Sequence, residues 1–435
     1  MSAANPPTEP MLVLSARPRW RDMFASLKVP NYRLYATGQI VSTTAQGMQR
    51  IAQDWIVLQI SGNVADVGIT VALQFAPMLV FGLFGGVIAD RYPKRRILQV
   101  TQTVMALLAA TMAVLIITGA IQVWMIWLIA LIGGFAILVD NPARQSFVSE
   151  VVGPNLLRNA ISLNSSTFQL GSLIGPALGG LLLSAIGGGW SFALNSLACV
   201  GTIYALGRMD GSKLLPAPKV ARGSGQLREG LAYARRKPEI LFTLVVLASM
   251  SVFAYTMPVL LTAFADHVFK VGATGYGIFN ALVATGALAG GLLSTRRVMV
   301  TLKTVVLGGA ALGAVQALAG VGPDIILFSM LLVGTGFASL WYFTASNSLV
   351  QMSTNLSIRG RVMGVFVLVQ LGGQALGGPV MGWLVDTFGP HLAMFVSGAV
   401  PLVVALTAGV VLVKSRGGSL RRIARDAVRP RRARA

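Results

Sequence analysis

Two charged side chains stand inside a run that is otherwise apolar enough to be a membrane helix. Arg50 and Asp54 lie in the segment 32–60, whose other residues include Tyr32, Leu34, Tyr35, Ile40, Ile51, Trp55 and Val57. A charge at mid-bilayer costs about 2.5–3.5 kcal/mol on insertion scales, so a retained pair is a functional hypothesis. The two are four positions apart, on one helix face and within reach of each other. Gln39, Thr43, Thr44, Gln46, Gln49 and Gln53 accompany them. A helix this polar must face a wet cavity or another helix rather than lipid. The chemistry open to the pair is proton carriage, because Asp54 can change protonation as its exposure alternates or as a substrate arrives. A permanent Arg50–Asp54 tether without proton traffic is the alternative. Other chemistry is poorly supplied. There are two His and one Cys, Cys199, which sits in an apolar run and reads as a packing thiol. No metal site is expected. Nor do the spans cluster Asp, His, Ser or Cys as an intramembrane enzyme would need.

The elements that must position this pair follow from composition. Of 435 residues, 54% are hydrophobic and only 11% are charged, with a mean hydropathy of +0.71. That excludes a disordered chain and argues against a soluble globule. Stretches free of Asp, Glu, Lys and Arg run over 67–89, 97–139, 159–207, 240–265, 271–295, 304–323, 325–358, 362–385 and 387–413. The second and third are long enough for two spans each, with breaks at Gly119 and at Gly187-Gly188-Gly189. With 32–60 the total is twelve membrane helices, and Arg50 and Asp54 are the charges placed inside them. Runs such as 114–118 do not alternate, which argues against a β-barrel. Residues 1–33 lack the apolar core of a cleavable signal peptide.

The formal charge of +21 would suit a nucleic-acid partner if it were clustered on one face. It is not. Apart from Arg50 and Lys270, every Lys and Arg lies in the N-tail, in alternate loops or in the C-tail. This is the positive-inside pattern, and it predicts both termini in the cytoplasm. The basic tail, Arg421 to Arg434, is expected to meet anionic lipid.

Loop 208–239 carries Pro216, Pro218 and Gly223-Ser224-Gly225 and reads as a linker. It ends in a short amphipathic piece around Leu227 and Leu231 that could lie on the membrane surface. The expected organisation is an N-tail (1–30), a first six-helix bundle (31–207), the linker (208–239), a second bundle (240–413) and a C-tail (414–435). The halves match internally. Gln169-Leu170-Gly171 and Gly175-Pro176 with Gly179 recur as Gln370-Leu371-Gly372 and Gly378-Pro379 with Gly382, at offsets of 201 and 203 residues. Span 5 therefore corresponds to span 11 in the repeat, and Gly85-Gly86 to Gly290-Gly291 likewise relates span 2 to span 8. Parallel six-span repeats suit two bundles that rock about a midplane site.

Two motifs stand out. In loop 2–3, Gly86 is followed by Asp90-Arg91 and by Lys94-Arg95-Arg96. Gly82 and Gly86, four apart, permit close helix approach. Asp90 can cap the positive N-terminal end of a neighbouring helix, and Arg91 can reach Asp140 at the end of span 4. In span 5, Gly171, Gly175, Pro176, Gly179 and Gly180 combine a small-residue stripe with a kink-forming proline.

On these motifs the sequence resembles the major facilitator superfamily. The 86–96 loop is similar to its cytoplasmic gate motif, with Pro93 where a Gly is usual. The span 5 pattern is similar to the antiporter motif of its drug exporters, with Ser162 at an upstream Gly position. Asn31 to Tyr35, Gly38-Gln39, Ala52 to Trp55, Asp140 to Gln145, Leu227 to Leu231 and Arg359 to Gly364 resemble the drug:proton antiporters of the branch that includes bacterial siderophore (enterobactin) and macrolide exporters. The resemblance implies an all-α polytopic protein of the major facilitator fold in the plasma (inner) membrane. Its function would be proton-coupled export of small amphipathic molecules by alternating access. It makes span 11, starting near Arg361, the helix that Asp90 caps. By the same analogy the substrate cavity lies between spans 1, 4, 7 and 10, with Gln46, Trp55, Tyr255, Trp341, Tyr342 and Phe343 as candidates. These ring faces are mostly uncharged and suggest a largely apolar substrate. Many such exporters carry an Arg within span 4, but 123–139 holds no charge. No cofactor is implied beyond the proton gradient, and the expected partners are a small-molecule substrate and membrane lipid, with the chain a monomer. A lipid flippase of the same fold is the alternative.

Overall fold

The computed structural model describes residues 20–215, 226–294, 300–322, 324–355 and 358–415. It is all-helical among them. Eleven helices are long and apolar enough to cross a membrane. The twelfth is span 1, Pro30–Ser61, a continuous helix of 32 residues whose amides and charges lower its hydropathy. The others are span 2 (Val64–Arg91), span 3 (Lys94–Ile117), span 4 (Val123–Gly153), span 5 (Asn155–Ile186) and span 6 (Gly188–Arg208). A short linker helix, Gln226–Arg236, precedes span 7 (Pro238–Val268), span 8 (Gly272–Ser294) and span 9 (Leu302–Gly320). Span 10 (Ile325–Met352), span 11 (Arg359–Phe388) and span 12 (Pro390–Ser415) complete the chain.

The breaks at Gly119 and Gly187 fall where the sequence places them. Both have positive φ, 71° and 88°, a conformation that costs a Cβ-bearing residue but not glycine. Span 7 holds a feature the sequence reading does not anticipate. It is interrupted by a π-type turn at Met250–Ala254 and resumes at Met257 with Pro258 in its first turn. Proline has no N–H, so the Ala254 carbonyl four residues earlier loses its helical donor. The buried Gln316 of span 9 supplies the replacement, Nε2 to the Ala254 carbonyl at 3.3 Å, and also donates to Ser397 Oγ of span 12 at 2.8 Å.

Span 2 packs along span 11 and span 5 along span 8, which joins the two halves. The apolar cores show where that joint is tight. At the end opposite the chain termini, one cluster draws on both halves, from Ile51, Trp55 and Phe192 to Tyr276, Phe328 and Met381. Towards the terminal end the cores separate. Tyr32, Tyr35, Phe147 and Val151 belong to the first half alone, and Ile240, Tyr342, Val350 and Phe366 to the second. Large apolar side chains such as Val80, Leu197 and Leu307 point outward, the inverse of a soluble protein and suited to lipid.

The linker helix does not lie free. Glu229 pairs with Arg361, and Gly230 sits so close to the Arg361 carbonyl that a Cβ there would meet it at 2.7 Å. It is docked on the start of span 11.

Candidate functional site

Span 1 carries a polar stripe whose members have different partners along its length. Near the terminal end, Gln39 Oε1 accepts from Arg144 Nη1 of span 4. Arg144 Nε lies 2.8 Å from Asp140 Oδ2, and Asp140 Oδ1 accepts from Thr101 Oγ1 at 2.6 Å and Gln102 Nε2 at 3.3 Å. Lys94 and Glu150 form a further ion pair at 2.9 Å between spans 3 and 4. Two expectations are corrected here. Asp140 is bound by Arg144 of its own helix, not by Arg91, which is exposed; one helical turn brings Arg144 to the carboxylate, whereas Arg91 stands at the free end of span 2. And Arg50 and Asp54 are not the sole charges within spans, because span 4 runs on past 139 to Gly153 and buries Asp140 and Glu150. Continuous hydropathy cannot see a helix that stays helical after its charges begin. Arg144 therefore stands on the span 4 helix, beyond its uncharged stretch 123–139.

In the middle of span 1, Gln46, Gln49, Arg50 and Gln53 line a cavity of about 110 Å³ with Gln74 of span 2 and Asn195 of span 6. Asn195 Nδ2 donates to Gln49 Oε1, and Gln46 Nε2 to Ser42 Oγ at 3.2 Å. One turn further on, Asp54 is 2% exposed and accepts a hydrogen bond from Tyr276 Oη of span 8 at 2.8 Å. The Tyr276 ring stacks on Trp55. The expected Arg50–Asp54 ion pair is not formed. Their shared helix face permits it, but the carboxylate is turned into the seam between the halves, where a buried hydroxyl meets it.

That seam continues at the same end. Span 2's own N-cap residue, Asn63, makes no side-chain cap. Asp386 of span 11 does so instead, its Oδ1 accepting from Val64 N at 3.0 Å and Oδ2 from Ala65 N at 2.8 Å. A carboxylate at a helix N-terminus is favoured by the exposed N–H groups and the dipole. Thr274 Oγ1 donates to Ser184 Oγ across spans 8 and 5 at 2.8 Å. Among the described residues, the hydrogen bonds that join the two halves all lie at this far end.

The span 5 glycines have two faces. Gly171, Gly175 and Gly179 meet Thr43, Gly47 and Met48 of span 1, and a Cβ at Gly179 would stand 2.7 Å from the Met48 backbone. Gly180 meets Gly277 of span 8 at 2.8 Å by the same measure, beside Pro176, whose carbonyl is 2.9 Å from a Cβ at Gly277. Gly378 and Gly382 of span 11 do the corresponding work against Gly68 and Ala65 of span 2. The stripe thus serves both packing within a half and the seam between halves.

In the 86–96 loop, the Asp90 side chain lies outside the described residues. Arg95 caps the end of span 6, donating from Nε to the Leu206 carbonyl at 2.7 Å and from Nη2 to that of Gly207 at 2.8 Å. Arg96 is exposed. Close approach of span 2 to span 4 occurs at Gly85 against Leu138, whereas Gly82 has only ordinary contacts; Gly286 and Gly290 of span 8 are pressed against Val333 and Phe337 of span 10.

The aromatic cavity candidates are dispersed. Tyr342 is fully buried in the second-half core, Phe343 packs on Phe366, Trp341 on Phe337 and Trp55 on Tyr276, and Tyr255 lies half-buried against the same core as Tyr342. Gln46 does line the cavity, with Gln74 and Asn195, which the sequence reading passed over. Their signal was available: uncharged amides inside spans facing a polar helix. Cys199 is buried, and among the described residues no His, Cys, Asp and Glu group could hold a metal.

With this geometry in view, a family model described as transmembrane secretion effector matches residues 22–429. Enterobactin exporters EntS of Escherichia coli O1:K1 and of Shigella boydii serotype 18 are each 25% identical over 391 residues, covering 89% of this chain and 93% of theirs. Among solved structures, a bacterial homologue of the human lysosomal transporter Spinster, inward-facing and unoccupied, superposes with a TM-score of 0.69 at 16% identity, over 90% of this chain and 97% of that one. The nucleoside transporter NupG gives 0.68 at 12% identity, over 87% and 98%.

Proposed function

The chain belongs to the transmembrane secretion effector family of the major facilitator superfamily, and from that premise we propose that this exporter is driven by proton entry and carries small amphipathic molecules of the drug, macrolide or siderophore kind. It is a multi-pass plasma-membrane transporter and not an enzyme. The similarity to EntS, whose name gives enterobactin as its cargo, supports the siderophore end of that range.

The observation that carries the coupling proposal is Asp54, a buried carboxylate held by Tyr276 across the seam that closes the far end. Positive-inside charge makes that end extracytoplasmic. In this arrangement the substrate enters from the cytoplasm through the region where the two cores separate. Opening of the far end then parts Asp54 from Tyr276 and exposes the carboxylate to the outer medium. A neutral carboxyl is much cheaper to bury than a charged one. Protonation from outside therefore favours re-closing, with the proton carried into the seam and released inward. The span 5 glycines and Pro176, with the 86–96 loop and Asp140, let the halves close and part.

Gradient-driven export in proteoliposomes tests this. Asn at position 54 keeps an oxygen for Tyr276 but cannot titrate. Asp54→Asn is expected to abolish export driven by an imposed proton gradient while leaving substrate binding within about threefold, the scale of one weakened hydrogen bond. Undiminished gradient-driven export would remove Asp54 from the coupling role. A second reading, a lipid flippase, draws on a largely apolar groove of about 460 Å³ between spans 2, 3 and 4, beside Tyr92 and Arg96. Movement of fluorescent lysophospholipid between leaflets would select it.

A further inference from the structure

The cavity of the first half joins an apolar wall, with Met105, Leu108 and Ile129, to a wall of amides that carries one arginine. Arg50 stands in the middle of span 1 with its side chain exposed and forming part of the cavity wall. Among the described residues it has no hydrogen-bond partner and no ion pair. The nearby carboxylate of Asp54 is turned away into the seam and bound by Tyr276. No Asp or Glu lines the cavity; its polar walls are the amides of Gln46, Gln49, Gln53, Gln74 and Asn195. Each amide NH₂ is a donor. The bond from Asn195 Nδ2 to Gln49 Oε1 fixes the Gln49 side chain by its acceptor and leaves its own N–H groups to point elsewhere.

We propose that this cavity is a subsite for an anionic, oxygen-bearing group of the exported molecule, a carboxylate or a planar oxyanion of similar size, held by Arg50 and the surrounding amides. The inference rests on the exporter reading and narrows it, adding an anionic group to the largely apolar, amphipathic substrate expected from the sequence. The chemistry is specific. A guanidinium presents parallel N–H donors that match two oxygens at once, and charge-assisted bonds of this kind are about twice as strong as neutral ones. A cation would meet Arg50 at close range and be repelled. About 110 Å³ accommodates an acid group with a few waters, not a whole amphipathic molecule, so the remainder of the substrate lies towards the space between the halves.

The test uses the full chain in lipid nanodiscs and two matched fluorescent probes, coumarin-3-carboxylate and its N-methylamide. The carboxylate is expected to bind at least about tenfold more tightly than the amide, as one charge-assisted pair implies. Arg50→Gln should erase the preference, and Arg50→Lys, which keeps the charge but not the fork, should retain part of it. Gln53→Glu, which adds a negative charge to the same wall without touching Arg50, should erase it too and serves if the Arg50 variants fail to fold. Equal binding of the two probes, an undiminished preference in Arg50→Gln or Gln53→Glu, or no saturable carboxylate binding at low millimolar concentration would overturn the subsite. Gradient-driven efflux, measured on the same preparations, reads the exporter function separately. Efflux without anion preference rejects this proposal alone, and anion preference without efflux rejects the exporter reading alone.

Discussion

Removing the Tyr276 hydroxyl leaves the Asp54 carboxylate buried without its donor. An unsatisfied buried acceptor costs about 1–3 kcal/mol, and more when charged. That cost falls only on the state in which the far end is closed, because opening separates the two residues. Tyr276→Phe is therefore expected to shift the access equilibrium towards the open far end by about 5- to 150-fold. The single cysteine makes this measurable, since Cys199→Ser gives a cysteine-free background. A reporter cysteine at Val71, beside the Gly378 contact, should be labelled faster by a membrane-impermeant thiol reagent from outside in Tyr276→Phe than in its parent. An unchanged rate would show that the hydrogen bond does not hold the seam. Asp386→Ala should act in the same direction, because it removes both acceptors that cap span 2.

Helices that must slide or part need backbones near one another, and the glycine pairs set that distance. A Cβ at Gly180 would stand 2.8 Å from the Gly277 Cα, so Gly180→Val forces spans 5 and 8 apart rather than displacing a flexible side chain. Its expected result is loss of export, with thermal unfolding of the purified protein several degrees lower. Gly364→Ala in span 11 is the matched control, since nothing lies within 4 Å of its added Cβ. Ala is also the better helix former, by about 0.5–1 kcal/mol. That variant should be no less stable than the parent. The antiporter-like pattern was legible in the sequence because its glycines recur at fixed spacing. Its division of labour, three residues on span 1 and one on span 8, was not, since both faces obey the same helical period.

At the scale of the whole molecule, one apolar core is shared by the halves at the far end and two separate cores lie towards the terminal end. Burial is thus concentrated where the halves meet. Under the alternating-access proposal this arrangement corresponds to a closed far end and an accessible terminal end. A cysteine replacing Gln46 in the same background should react with impermeant thiol reagents in inside-out membrane vesicles and be protected in right-side-out ones. The reverse pattern would mean that the resting state is open outward. Tyr276→Phe should reduce the contrast between the two vesicle types, since it biases the same equilibrium from the other side.

Twelve spans, the break positions at Gly119 and Gly187, and the repeat of span 5 in span 11 were readable from the chain alone. Each depends on a local quantity: the transfer of about twenty side chains into hydrocarbon, the spacing of glycines along a helix, or a glycine's freedom at positive φ. Which partner a buried charge takes is another matter. Asp54 had Arg50 four residues away and found Tyr276 at a separation of 222 positions; Asp140 had Arg91 as a candidate and took Arg144; Asp386 caps a helix 322 positions earlier. Those choices were made by the tertiary structure, because a hydrogen bond is decided by a few tenths of an ångström and by what water is excluded. Neither is recorded in the spacing of residues along a helix.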